Sequence, residues 1–214
     1  GRARGAAVVA CLLLAAAVCR RTAPPPARGP LTEAEKAIVA AFTTGTISRE
    51  SPVRVAFHEP LARPDQVGAA IEPSPFRFEP RIEGRAVWAA PDRVEFRPSE
   101  RLPDGQAYAA SLDLAPLFPD GKAPFGRFDF VFSTMRQSFD VAVVGLAAAE
   151  ATDVRRQVLT GRLVTADAED AAGVQKVLRA SHGGRDLDVA WAHDRTRRVH
   201  AFTVSGIERA EAAS

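Results

Sequence analysis

From Ser51 onward, apolar and polar residues alternate with a period of two. Val53, Val55 and Phe57 interleave with Arg54, Ala56 and His58, the pattern of a strand that buries one face. Pro60 and Pro64 end that run. Phe76 and Phe78 in "PFRFEP" share a face, and Pro80 closes the segment. "GRAVWAA" supplies Val87 and Trp88, and "RVEFRP" sets Val94 and Phe96 against Arg93, Glu95 and Arg97. Pro103-Asp104-Gly105 has turn chemistry and leads into a strand whose Tyr108, Ala110 and Leu112 lie together. "GRFDFVFSTM" aligns Phe128, Phe130 and Phe132. Short strands at near-regular spacing, punctuated by Pro and Gly, predict a β-sandwich of about seven strands. Ten of the twelve Phe lie between Phe57 and Phe139, so an aromatic core is expected there.

Two segments break the period. Before the first strand, "LTEAEKAIVAAFT" pairs Thr32 with Glu35 as a capping box, with Ile38, Val39 and Phe42 on one side of a short helix. The same residues also read as an extended segment running into the sheet. Gln137-Ser138 marks a boundary, and "FDVAVVGL" and "RRQVLTGRLVTAD" beyond it are strand-like. "DAEDAAGVQKVLRA" then reads as a helix, with Asp167 as cap, Arg179 near its end and Val174, Val177 and Leu178 inward. Gly183-Gly184 is expected to stop it. "LDVAWAHD" and "VHAFTVSGI" form a hairpin through Arg195 to Arg198. The chain is therefore expected to be mainly all-β. It should hold two tandem β-sandwiches, 31–137 and 138–214, the second with an inserted helix.

The first thirty residues read as processing signal. Arg2 and Arg4 precede the apolar run Ala6 to Cys19, shorter than the roughly 20 residues a spanning helix needs, so residues 1–19 are a cleaved leader. Cys19 is the lipidation candidate, although Val18 stands where Gly or Ala usually precedes such a cysteine. Cleavage after Ala17 is the alternative, and it would release a soluble protein. Residues 20–30, with Pro24-Pro25-Pro26, form an extended tether. Both cysteines, Cys11 and Cys19, fall in the leader, so the folded part holds no disulfide and no Cys-ligated zinc. The absence of an initiator Met and the sequence of the last residues lead us to expect a piece of a longer protein.

Charge and motifs narrow the chemistry. Twenty-eight basic residues against 26 acidic ones leave a net charge of +2, without the basic footprint of nucleic-acid binding. His58 and Glu59 are adjacent, so they point to opposite faces, and alternation puts His58 toward solvent rather than in general-base chemistry. His193 and His200 face one another across the hairpin, with His182, Asp186, Asp188 and Asp194 nearby. They lack compact metal-ligand spacing and are expected to be solvated hairpin residues. Trp88 and Trp191 are expected in core or half-core positions. "GTISRESP" lacks phosphate-cradle spacing, and "RDLDVAWAHDRTRR" reads as a charged exposed rim. No nucleophile elbow, P-loop or dinucleotide fingerprint occurs. No catalytic, cofactor-binding or metal-ligating residue is expected, and the chain is not expected to be an enzyme.

Three stretches carry a resemblance: Phe42 to Pro60, Ser74 to Leu114 and Phe128 to Val141. They resemble the N-terminal macroglobulin-like domain of bacterial α2-macroglobulins. The second unit continues the similarity through "RLVTADAEDAAGVQKVLRA" and "VHAFTVSGIERAEAAS". The resemblance implies a periplasmic or cell-envelope protein that traps proteases, held on a membrane by a lipid on Cys19. In that family a protease cuts a bait segment and many members then attach through a Cys–Gln thioester. No bait segment is identifiable here, and no cysteine follows Cys19. Proteases would thus be partners through regions outside this chain. The competing expectation is an envelope adhesion or spacer module built of immunoglobulin-like domains, since "SPVRVAF" and "VEFRPSERLPDGQAYAASL" follow their general grammar too. A third expectation is a carbohydrate- or metal-binding β-domain using His193 and His200.

Overall fold

The structure is a computed structural model, and it describes residues 28–118 and 122–209. The leader with Cys11 and Cys19, and the tether as far as Pro24-Pro25-Pro26, lie outside the described residues. No helix among those described is long and apolar enough to cross a membrane.

The chain is mainly β. Helix α1, Glu33–Ile38, starts at the predicted capping box: Thr32 Oγ1 accepts from the Glu35 N–H, and the Thr32 N–H donates to Glu35 Oε2 at 2.8 Å. Val39 and Phe42 do not extend this helix. Val39 is extended and begins β1, Val39–Phe42, followed by β2, Gly45–Ile47. The reason is competition for backbone partners. Six helical residues gain little cooperativity alone, whereas β1 pairs with β3 and buries Val39 in the core. Gly45, at φ +69°, lets the chain leave one sheet and enter the other.

Strands β3 (Val53–Phe57), β4 (Phe76–Glu79), β5 (Gly84–Ala90), β6 (Arg93–Pro98), β7 (Ala107–Asp113) and β8 (Arg127–Thr134) complete the first unit. One sheet runs β1-β3-β6-β5 and the other β2-β8-β7-β4, with β2 parallel to β8. That makes eight strands, because the run before Ser51 contributes two. The period-two residues meet as predicted: Val53, Val55, Phe57, Tyr108, Ala110, Leu112, Phe128, Phe130 and Phe132 share one core with Trp88. Phe42 packs edge-on to Phe128 at 5.1 Å, and Tyr108 stacks on Phe132 at the same distance. Arg28 lies over the core Phe128 ring at 4.7 Å and pairs with Glu35, fastening the start of the described chain.

The second unit has one four-stranded sheet, ordered β13-β14-β10-β9. Its strands are β9 (Phe139–Glu150), β10 (Asp153–Thr165), β13 (Val189–Asp194) and β14 (Val199–Glu208). Helix α2 and the small hairpin of β11 (Ala180–His182) and β12 (Arg185–Leu187) come between β10 and β13. Helix α2 is shorter than the sequence pattern predicts. It covers Ala171–Gln175, is capped by Asp170 rather than Asp167, and buries only Val174, while Val177 is exposed. Gly173 in so short a helix weakens it, and residues 180–187 gain a paired hairpin instead. Gly183 and Gly184, both at positive φ, form that hairpin's turn rather than a helix stop. The predicted β13–β14 hairpin is present, in register from Val189↔Val204 to Asp194↔Val199.

Candidate functional site

The densest polar cluster among the described residues lies where the two β-units meet. The chain passes from β8 to β9 through Met135–Ser138, and Gln137 makes two-way contact with residue 167. Its Oε1 accepts from the Asp167 N–H at 3.0 Å, and its Nε2 donates to the Asp167 carbonyl at 3.2 Å. The Asp167 carboxylate is buried and accepts from the N–H groups of Arg49 and Ala168, both at 2.8 Å. Glu169 receives Arg101 Nη1 at 2.5 Å and Gln137 Nε2 at 3.2 Å, with Arg49 Nη1 at 3.8 Å. Arg101 also holds Glu50 at 2.9 Å, and Arg195 of the β13–β14 turn pairs with the same carboxylate. Four residues of the first unit and its linker (Arg49, Glu50, Arg101, Gln137) thus engage three of the second (Asp167, Glu169, Arg195).

The electrostatics follow from that geometry. Burial alone would raise the Asp167 carboxyl. The Ser48 side chain, the N–H groups of Arg49 and Ala168 and the Arg49 charge outweigh it and hold Asp167 below the usual carboxylate range. Glu169 behaves alike: burial pushes up, but bonds from Arg101, Gln137 and the Asp170 N–H, with the Arg101 charge, lower it. Arg101 is raised, first by its bond to Glu169 and against the opposing effect of burial. This cluster joins charges of both signs in matched pairs. It positions two units against each other.

A second cluster lies near the turn of the β13–β14 hairpin. His193 Nδ1 and His200 Nδ1 are 2.9 Å apart, with the rings at 63°. The expectation of two solvated histidines holds for His193 alone. His200 is fully buried, because its side chain shares the covered face of the sheet with Leu163, Phe202 and Val204. Burial, then the nearby His193, depress the His200 imidazole, against the opposing pull of Asp194 and Glu169. Its Nε2 has no hydrogen-bond partner. Trp191 stacks on His193 at 5.7 Å and packs on Phe202 at 5.5 Å, the half-core position predicted for it. Among the described residues no set of three or more His, Cys, Asp or Glu is arranged to hold a metal ion.

The remaining candidates fall outside both clusters. His58 is exposed, as strand alternation predicts, and its Nε2 lies 3.1 Å from the Lys36 carbonyl. Asp186 and Asp188 are exposed, and His182 is half-buried in β11. On the outer face of the β2-β8-β7-β4 sheet, an open concavity of about 670 Å³ includes Arg77, Ser111, Arg127 and Asp129. Arg127 is engaged there with Asp129 at 2.9 Å. The inter-unit cluster is not legible in the sequence pattern. In the sequence, "GTISRESP" shows only that it lacks phosphate-cradle spacing, and Asp167 reads only as a helix cap.

No family model matches the chain, and no curated protein matches it. Among solved structures, it is similar to L,D-transpeptidase 3 from Mycobacterium tuberculosis in complex with a faropenem-derived adduct. Identity is 17%, over 74% of this chain and 58% of that one, with a TM-score of 0.33. An L,D-transpeptidase from Mycobacterium tuberculosis H37Rv gives 17% identity over 73% and 59% of the two chains, with a TM-score of 0.32. An LD transpeptidase in complex with imipenem gives 14% over 72% and 54%, also at 0.32. The chain thus spans less than two thirds of each of these structures. At this level the likeness carries no functional inference.

Proposed function

We propose that this chain is the N-terminal scaffold of a bacterial α2-macroglobulin-like, broad-spectrum protease inhibitor of the cell envelope. It acts without catalysis, and proteases engage the protein through regions outside this chain. The observation that carries the reading is the inequality of the two units. The first is an eight-stranded sandwich of two four-stranded sheets, and the second is a four-stranded sheet bearing a helix and a small hairpin. A spacer of tandem immunoglobulin-like modules would repeat one topology. Here two different β-units follow one another in the order of the resembled family, joined by a dense ion-pair cluster suited to holding a fixed geometry under load. In this reading a lipid on Cys19 and the tether of residues 20–30 hold the scaffold at a periplasmic membrane surface.

The test uses the complete protein encoded by the reading frame that contains this chain. Incubated with trypsin, chymotrypsin and elastase, it should suppress cleavage of a large protein substrate while leaving cleavage of a small peptide substrate. That split is the signature of a caged protease. Unchanged digestion of the large substrate by all three would sink the inhibitor reading and leave the spacer. Residues 31–214 alone should inhibit none of them.

A further inference from the structure

His193 and His200 meet nitrogen to nitrogen, and that contact limits how many protons the pair can hold. A 2.9 Å Nδ1···Nδ1 approach needs one N–H and one lone pair. The Gln175 amide nitrogen lies 3.4 Å from His193 Nε2, which assigns the tautomers. His193 Nε2 accepts, its Nδ1–H donates to His200 Nδ1, and the remaining His200 proton sits on the buried Nε2. The pair has room for one added proton: the outer Nε2 of the exposed His193 can hold it at the expense of the Gln175 contact, with the Nδ1 contact intact. A further proton has only His200 Nδ1. Placing it there removes the last lone pair, sets N–H against N–H, and puts a second positive charge in a fully buried site.

We infer that His193 and His200 form an acid-operated latch, closed by one shared Nδ1 hydrogen and opened when both rings become imidazolium. The latch ties β13 and β14 together beside α2, because Gln175 of α2 touches the same His193 ring. The charged groups facing it are few. Asp194 follows His193 on β13, and Glu169 precedes α2. Both carboxylates favour protonation of His200, but burial and His193 oppose it more strongly. Trp191 and Phe202, which line the pair, are neutral. The turn beside the latch carries Arg195, which reaches Glu50 in the first unit. Opening therefore loosens the turn that carries one of the inter-unit contacts.

The sign of the effect is fixed by linkage. His200 has a folded value below its ordinary one of about 6.5, so below that pH the unfolded chain binds more protons than the folded one. The latch contributes fully above about pH 6.5, and its contribution is lost as pH falls through the lower folded value. The folding equilibrium constant then drops by up to about tenfold per pH unit.

The experiment is urea unfolding of the intact chain at steps from pH 7.5 to 5, followed by tryptophan fluorescence. Wild type is compared with His200→Leu, which removes the buried unpartnered nitrogen. The wild-type equilibrium constant should fall more steeply than that of the variant, the two curves drawing apart by up to about tenfold per pH unit below 6.5. Parallel curves would overturn the latch. Should the variant not unfold cooperatively, long-range histidine ¹H–¹⁵N spectra of wild type decide. A His200 ring that stays neutral well below pH 6.5 supports the latch, and one that becomes imidazolium near the ordinary value of about 6.5 overturns it.

Discussion

Arg101 Nη1 sits 2.5 Å from Glu169 Oε1, linking the loop after β6 in the first unit to the loop before α2 in the second. Both side chains are mostly shielded, at 23% and 17% exposure. A bond to a charged group in such a setting contributes about 1.5–3 kcal/mol, more than an exposed surface pair would. Arg101→Ala should therefore lower stability by about that amount. It should also split unfolding into two transitions as the units uncouple. Calorimetry reads both effects, and a single unshifted transition would show that the contact is idle.

Acid should weaken the same junction from the carboxylate side. Asp167 and Glu169 are held below their usual values, so the folded chain binds fewer protons than the unfolded chain in that range. Their contribution is complete above the ordinary carboxylate values of about 4 and is lost as pH falls through the lower folded ones. Melting curves between pH 5 and 2.5 should show this loss, and Asp167→Asn should flatten it. Comparing Asp167→Asn with His200→Leu across the same titration separates the carboxylate contribution from the histidine one.

Gly161 tests the packing of the second sheet. A Cβ at this position would overlap the Phe202 ring of the neighbouring strand. Gly161→Ala should cost about 1–3 kcal/mol through forced repacking. Gly145→Ala, where the nearest atom is Thr160 Oγ1 at 3.7 Å, serves as a control close to neutral. Urea midpoints monitored by Trp191 would check the difference, and equal losses would place Phe202 elsewhere.

Strand β9 is the edge of its sheet and carries Val143 and Val144 at 63% and 69% exposure. The ladder skips Val144 between Val143↔Gly161 and Gly145↔Thr160, a bulge of the kind that marks sheet edges. Replacing both valines by Thr keeps β-branching and should shift stability by no more than about 0.5 kcal/mol. It should also reduce self-association, seen by light scattering, because exposed apolar edges template pairing. A loss of about 2 kcal/mol or more would mean these side chains are buried in solution.

Much of the fold is legible in the chain because strand burial repeats every two residues. Phe128, Phe130 and Phe132 announce their shared face, as do Tyr108, Ala110 and Leu112, and both sets enter one core. The capping pair Thr32 and Glu35 marks the start of α1 correctly, since its hydrogen bonds span only three residues. Where α1 ends is not local. Val39 is equally compatible with either state until β3 offers it a partner. Asp167 shows the same limit. Its position before a helical pattern suggests a cap, yet its carboxylate is claimed by the Arg49 N–H, 118 residues away in sequence.

The sequence by itself determined the alternation, the turns and the aromatic content, and with them a mainly β chain whose first unit is a sandwich. Those features depend on each residue's own preferences and its near neighbours. Only the tertiary structure decided which charges meet, that His200 is sealed while His193 is open, and that Arg49, Arg101, Gln137, Asp167 and Glu169 form one junction. Each of these depends on loops distant in sequence being brought within hydrogen-bond reach. A hydrogen bond reaches only about 3 Å, so such partners are set by the packing of the two units and not by spacing along the chain.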